Sequence, residues 1–300
     1  MRPPHGGGVM PLVEVRGLVK RFTRRPAPWS RASQIRAVDG VSFTIDEGEI
    51  FGLVGESGSG KTTTGRCMLR LIEPTAGSFR FGGDEVFTMS PGRLQAVRRE
   101  MQMVFQDPDS SLDSRMRAGA IVEEGLIIHR LGTPSERRAR VRELFDLVGL
   151  DAGRVGRLPH EFSGGERQRI GLARALALGP RFLVADEPVS SLDVSIQAQI
   201  INLFLDLQQQ LGLTLLFIAH DLHIVRHVCG RLAVMYRGRI VEMGPAASIF
   251  SQPAHPYTRA LLSAVPEVEP EKHRARVVFD AATFDPAAEL REVAPGHWVS

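Results

Sequence analysis

A glycine-rich turn set between an apolar strand and a helix restricts this chain more than any other feature in it. Ile50 to Val54 reads as a short apolar strand that runs straight into Gly55-Glu56-Ser57-Gly58-Ser59-Gly60-Lys61-Thr62. A helix is predicted from Lys61 to about Leu71, stopped before Pro74. In such a turn the glycines let backbone N–H groups wrap an anion, and the helix N-terminus adds partial positive charge. The spacing arises by chance in roughly 1 in 100 chains of this length, and the strand–turn–helix setting makes chance rarer still. The Lys61 ammonium is placed to reach the β- and γ-phosphates of a nucleoside triphosphate, and the Thr62 hydroxyl to bind Mg2+. Thr63, beside it, is grouped with the nucleotide-binding residues.

The rest of the chain supplies an α/β frame for that turn. Val13, Val15 and Leu18 alternate as a strand, Thr23 to Ile35 reads as a surface loop, and Val41 to Ile45 alternates as a half-buried strand. Ser78–Phe81 and Met101–Phe105 are further strands. From Asp107 to about His160 the chain turns helical and polar. Thr133-Pro134-Ser135-Glu136 is a capping box there, with Val141, Leu144, Phe145 and Val148 on one face of the helix that follows. Beyond Gly165 the alternation resumes. A helix ends at Gly179-Pro180, a buried strand spans Phe182–Ala185, an amphipathic helix runs from Val194 to Gly212, and a strand covers Leu213–Ile218. Strands alternating with helices imply a parallel sheet covered on both faces.

Composition excludes several classes. No run approaches the ~18 apolar residues of a membrane span, and Met1-Arg2-Pro3-Pro4-His5-Gly6 lacks a signal-peptide core, so any membrane role is expected to be peripheral. The net charge is +3, with acidic residues interspersed among the basic ones, which does not make a nucleic-acid surface. Cys67 and Cys229 are far apart in the sequence, which suits a reducing compartment and argues against a disulfide framework or zinc knuckle.

Four more elements carry chemistry. Asp186 ends an apolar strand, where an acid is anomalous unless it faces a site; it is expected to hold Mg2+ through water. Glu187 is the candidate general base for the attacking water. Gln106 follows the strand Met101–Phe105, where it can touch both the metal's water shell and a mobile subdomain. His220 follows the strand Leu213–Ile218, where a neutral imidazole can bond the γ-phosphate and the attacking water. His223 and His227 are read as ordinary helix-surface histidines rather than metal ligands, because no further ligand converges on them. Ser163-Gly164-Gly165 precedes a helix and is a second anion site by the same helix-end argument. One chain does not need two such sites for one γ-phosphate. Ser163, Gly164 and Gly165 are therefore assigned to the nucleotide of a second chain in a head-to-tail dimer, with Ser191-Leu192-Asp193 touching the partner nearby.

In this order the motifs resemble the ATPase subunit of ABC transporters: Walker A at Gly55–Thr62, Q-loop at Gln106, signature at Ser163–Glu166, Walker B with its glutamate at Phe182–Glu187, D-loop at Ser191–Asp193, and switch histidine at His220. The match spans about residues 11 to 265. Finer features resemble the oligopeptide/dipeptide importer branch, which includes nickel and glutathione importers. They are Ala37–Phe43, Val104-Phe105-Gln106-Asp107-Pro108 with Ser110-Ser111-Leu112, His255-Pro256-Tyr257-Thr258 with Ala260-Leu261-Leu262, and Pro295-Gly296-His297-Trp298-Val299.

The resemblance implies an α/β fold: a P-loop NTPase with a RecA-like core, an antiparallel β subdomain, and an inserted helical subdomain at about residues 107–165. Residues 1–10 are expected to be disordered and residues 266–300 to form a C-terminal extension. It implies ATP and Mg2+ as cofactors and a permease helix received near Gln106. It also implies a second ATPase subunit (a heterodimer expected, a homodimer the alternative), an external solute-binding protein acting indirectly, and a place on the cytoplasmic face of the inner membrane. Phe22 is the candidate to stack on adenine, with Trp29 the alternative. The chain departs from the pattern twice. Glu166 stands where glutamine is usual, with modest effects expected, and the cysteine-rich segment of many relatives is missing, which excludes a cysteine-ligated iron–sulfur cluster in the extension. The competing class is a soluble ABC ATPase acting on nucleic acid or ribosomes. It is disfavoured because 300 residues leave no room for a long coiled-coil insertion and only one cassette is present.

Overall fold

The computed structural model describes residues 10–24, 33–264 and 277–300. The chain runs through β1 (Val13–Arg24), β2 (Ser33–Ile45), β3 (Ile50–Val54), α1 (Lys61–Met68), β4 (Ala76–Phe81), β5 (Asp84–Glu85), α2 (Pro91–Arg98) and β6 (Met101–Val104). It continues through α3 (Pro108–Ser111), α4 (Ala118–Ile128), α5 (Pro134–Leu147), α6 (Gly164–Leu176), β7 (Phe182–Asp186), α7 (Val194–Leu211) and β8 (Thr214–Ala219). Last come α8 (Leu222–Val228), β9 (Arg231–Tyr236), β10 (Arg239–Pro245), α9 (Ala246–Ser251), α10 (Pro256–Ser263), β11 (Arg291–Ala294) and β12 (His297–Val299). Two compact units result, one from residues 1–89 with 216–300 and the other from residues 90–215.

In the first unit, β2, β1, β4 and β5 lie side by side in an antiparallel sheet. Its register sets Val13 opposite Ile45, Val15 opposite Phe43 and Leu18 opposite Val41, all at most 1% exposed. Alternation thus puts one continuous apolar face on the core. The Phe43 ring stacks on Phe51 of β3, 5.2 Å between centroids. The five residues of β3 are all buried, as a strand covered on both faces must be. β3 pairs in parallel with β9, and β9 pairs antiparallel with β10.

Two sequence expectations need correction in this unit. The predicted loop Thr23–Ile35 is trimmed from both sides: β1 runs to Arg24 and β2 starts at Ser33, with Phe22 opposite Ile35 and Thr23 opposite Gln34. Cross-strand pairing carries both strands into the ends of the predicted loop; residues 25–32, Trp29 among them, lie outside the described residues. Helix α1 stops at Met68 rather than Leu71. Arg70 adopts the left-handed region at φ 48°, Leu71 N–H bonds Arg66 O, and Arg70 N–H bonds Cys67 O. That is the Schellman ending, usually built on glycine.

The tail is more structured than a mixed extension. β12 pairs with β10 and β11 with β12. Glu242 on β10, fully buried, gathers this end of the chain. Its carboxylate accepts from the Ala254 and His255 amides at 2.8 and 3.0 Å and lies 2.7 Å from His297 Nε2. The two branch-like motifs, around His255 and around His297, therefore converge on one acid.

His255 in turn caps α10, its Nδ1 accepting from Tyr257 N–H at 3.1 Å. Burial lowers its pKa from the usual 6.5, against an opposing pull from Glu242. A histidine depressed in the fold stabilises fully above pH 6.5 and loses that contribution as pH falls through its folded value, because the unfolded chain takes up the proton first. The urea midpoint of the wild type is accordingly expected to drop more steeply from pH 7.5 to 5.5 than that of His255→Asn, which keeps a capping side chain. Equal slopes would show that His255 does not contribute to the acid sensitivity.

In the second unit, β6 and β7 pair in parallel, Met101 opposite Phe182 through Val104 opposite Ala185. Helices α4 and α5 pack on α6. The Thr133–Glu136 capping box forms as read from the sequence, with bonds of 3.3 and 2.6 Å, and Val141, Leu144, Phe145 and Val148 are buried. Helix α7 buries Ile200, Phe204 and Leu207 and ends at Gly212 in the left-handed region.

Candidate active site

The turn after β3 is built around close backbone approaches. A Cβ at Gly55 would lie 2.2 Å from Met235 O, and one at Gly60 2.2 Å from Ala37 O; both glycines have positive φ, 149° and 108°. Any side chain at either position would push the turn open. Lys61, 3% exposed, donates to Gly55 O at 2.7 Å and to Glu56 O at 2.9 Å. Its charge is thus held inside the turn by carbonyl dipoles. The Ser59 hydroxyl is buried with no hydrogen-bond partner among the described residues, while Glu56, Ser57 and Gly58 are exposed at the crest and Thr62 and Thr63 are half-buried. A cradle that no Cβ can enter, a buried cation and an unmet hydroxyl fit a phosphate chain.

In the second unit the structure brings two of the sequence-picked residues together. Gln106, exposed just after β6, donates from Nε2 to Glu187 Oε2 at 2.9 Å. Glu187 has φ 44°, unusual for a side-chain-bearing residue and of the kind stored at functional sites. The Ser190 amide and hydroxyl both donate to its carbonyl, at 3.3 and 3.1 Å, holding the turn. Asp186, at the end of β7, is fully buried. Asp107 caps α3 by accepting from Asp109 N–H at 2.9 Å, with Pro108 at the first helical position. The Gln-Asp-Pro run thereby ends a strand, presents Gln106 and starts a helix within three residues.

Ser163 is the N-cap of α6 and is joined to Glu166 by a reciprocal capping box. Ser163 Oγ accepts from Glu166 N–H at 3.3 Å, and Glu166 Oε2 accepts from Ser163 N–H at 2.8 Å. An accepting Oγ keeps its own O–H proton for an outside anion. A Cβ at Gly165 would meet Ile196 Cγ2 at 2.5 Å, so the helix start sits tight on α7.

The sequence reading passed over Glu166's structural role, although Ser-x-x-Glu before a helix is a legible signal. It also passed over Arg154, which pairs with the Glu166 carboxylate and stacks over Phe162 at 4.4 Å. The Arg154 guanidinium holds the Glu166 carboxyl below the usual carboxylate range. The extra negative charge that Glu166 brings to an anion-binding helix end is thereby matched by a positive one. Gln197 was missed as well: its Nε2 donates to Val189 O and Leu192 O at 3.1 and 2.9 Å, bracing the stretch that carries Ser191 and Asp193. Asp193 is exposed at the start of α7.

Phe22 is 39% exposed on β1, with Lys20 Nζ 4.8 Å from its ring centre. His220 is exposed just after β8. His227 is exposed on α8 and His223 is half-buried. Cys229 instead packs under β3, its sulfur 3.1 Å from where a Gly52 Cβ would be, and burial pushes its thiol pKa up.

Residues 38–190 match the family model described as ABC transporter. The chain belongs to the ABC transporter family. Its residues 241–284 also match the model described as oligopeptide/dipeptide transporter, C-terminal region. The oligopeptide transport ATP-binding protein OppF of Streptococcus mutans is 49% identical, over 96% of this chain and 94% of that one. The glutathione import ATP-binding protein GsiA of Salmonella choleraesuis is 48% identical over 97% of this chain, which spans 48% of that longer protein. Among solved structures, a dimeric ATP-binding cassette in a post-hydrolysis state bound to ADP and Pi superposes with a TM-score of 0.70. It shows 28% identity and covers 78% of this chain and 98% of that one. The antiparallel sheet, the P-loop strand and the helices α3 to α6 are thus parts of the ABC ATPase fold, and the chain is an ATP-binding, ATP-hydrolysing subunit of that family.

Proposed function

We propose that this ATPase powers uptake of peptides or a related small solute through a separate membrane permease. The importer reading is supported by residues 241–284, which match the C-terminal region of oligopeptide/dipeptide transporters and lie outside the residues 38–190 that match the general ABC transporter model. No helix among the described residues is long and apolar enough to cross a membrane; in this reading the solute path is formed by the permease. Lys61 and the turn amides bind the phosphates, and Phe22 stacks on the adenine. Thr62, Asp186 and Gln106 offer hydroxyl, carboxylate and amide oxygens, a hard donor set that fits Mg2+. The metal supplies charge neutralisation at the phosphates when bound. Glu187 takes the proton of the attacking water, and His220 orients it. Ser163, Gly164, Gly165 and Asp193 serve the nucleotide of a second ATPase subunit, which we take to be a different chain. The site of action is the cytoplasmic face of the membrane, with an external binding protein selecting the solute.

Gentle solubilisation of native membranes followed by purification of the tagged chain tests this reading. A permease pair and a second ATPase are expected to co-purify. Recovery with ribosomes or DNA from the soluble fraction, and no permease, would overturn it in favour of a soluble ABC ATPase.

A further inference from the structure

The His255-Pro256-Tyr257-Thr258 motif lies almost 200 residues from the P-loop in sequence, yet its tyrosine touches that loop. Tyr257 OH accepts from Glu56 N–H at 3.1 Å. The Glu56 N–H and the Gly55 C=O are two ends of one peptide unit, and that carbonyl accepts from Lys61 Nζ at 2.7 Å. A rigid peptide plane held at both ends cannot rotate, and a donor–acceptor chain through one amide polarises both bonds. Tyr257 is itself fixed. Its ring is 2% exposed, packed 4.5 Å from the Tyr236 ring and 5.5 Å from Phe279 of the C-terminal segment. His255 caps the helix that carries it.

We propose that Tyr257 is a positioning residue for nucleotide binding. Its hydroxyl clamps the Gly55–Glu56 peptide so that the loop and Lys61 are already in phosphate-binding geometry before ATP arrives. The C-terminal segment thereby sets the affinity of a loop it follows by 200 residues. Binding to a pre-formed loop avoids the ordering cost of a mobile one. The hydroxyl suits the task because burial raises its pKa to about 12, so it stays a neutral acceptor. The inference rests on the reading that this loop holds ATP.

Tyr257→Phe removes one oxygen and keeps the ring. Titration with a fluorescent ATP analogue and steady-state ATPase assays, with thermal melting alongside, are the measurements. A rise in both Kd and KM of about threefold to tenfold, with kcat changed less than twofold, is the expected result. An unchanged Kd in Tyr257→Phe, while Lys61→Ala loses binding, would overturn the proposal and leave the ATP reading standing. A matched fall in kcat and melting temperature with no separate KM effect would mark a merely structural contact and would also overturn it. Failure of the wild type to bind ATP would overturn both readings.

Discussion

Glu187→Gln is expected to lower ATP turnover by about 100-fold to 10,000-fold, the range associated with losing a positioned general base, while ATP-induced dimers persist. The substitution separates charge from shape. Gln106 Nε2 donates to Glu187 Oε2, and a glutamine carbonyl at that position still accepts the bond. The turn is set by Ser190, whose amide and hydroxyl hold the carbonyl of residue 187 and not its side chain. The left-handed φ of 44° costs glutamine no less and no more than glutamate. What disappears is the capacity to take a proton. Steady-state hydrolysis and size-exclusion chromatography with and without ATP are the paired measurements. Normal hydrolysis in the variant would remove Glu187 from the base role, and loss of ATP-dependent association would show that the residue also builds the dimer.

The second large effect is on stability. Glu242→Ala is expected to destabilise the fold by about 3–5 kcal/mol, which for a chain of this size lowers Tm by roughly 10 °C. The carboxylate is fully buried and serves three donors: the amides of Ala254 and His255 and the ring of His297. Alanine strands all three in the interior. Glu242→Gln keeps acceptor oxygen for the amides but places an NH2 group among donors, so an intermediate loss is expected. Thermal melts of the two variants distinguish this from simple cavity formation: if alanine and glutamine behave alike, hydrogen bonding to Glu242 is not what holds the tail. The Tyr257 clamp adds a second consequence. If α10 is loosened in Glu242→Ala, nucleotide affinity should fall below wild type even at temperatures where the variant is folded.

How much was legible beforehand follows from how local each feature is. The P-loop was legible because a strand, a glycine turn and a helix start lie within about a dozen contiguous residues, and the physics that makes the cradle acts at that range. The Thr133 capping box and the Val194–Gly212 helix were legible for the same reason. Each is a pattern of propensity, cap and period that short sequence windows contain. The Ser163–Glu166 box was equally local; it was passed over because those residues were read for anion binding alone.

The sequence by itself therefore determined the ABC ATPase class and the order of its motifs, and it named the residues we propose to meet the nucleotide. The tertiary structure decided what holds those residues in place. The pairing of Gln106 with Glu187 spans 81 positions, Tyr257 reaches Glu56 across 201, and Glu242 binds His297 across 55. Nothing in a window around one member of such a pair encodes the other. Each contact exists because sheet register and helix packing, set by burial of the whole apolar pattern, carry two groups distant in the sequence to about 3 Å of each other.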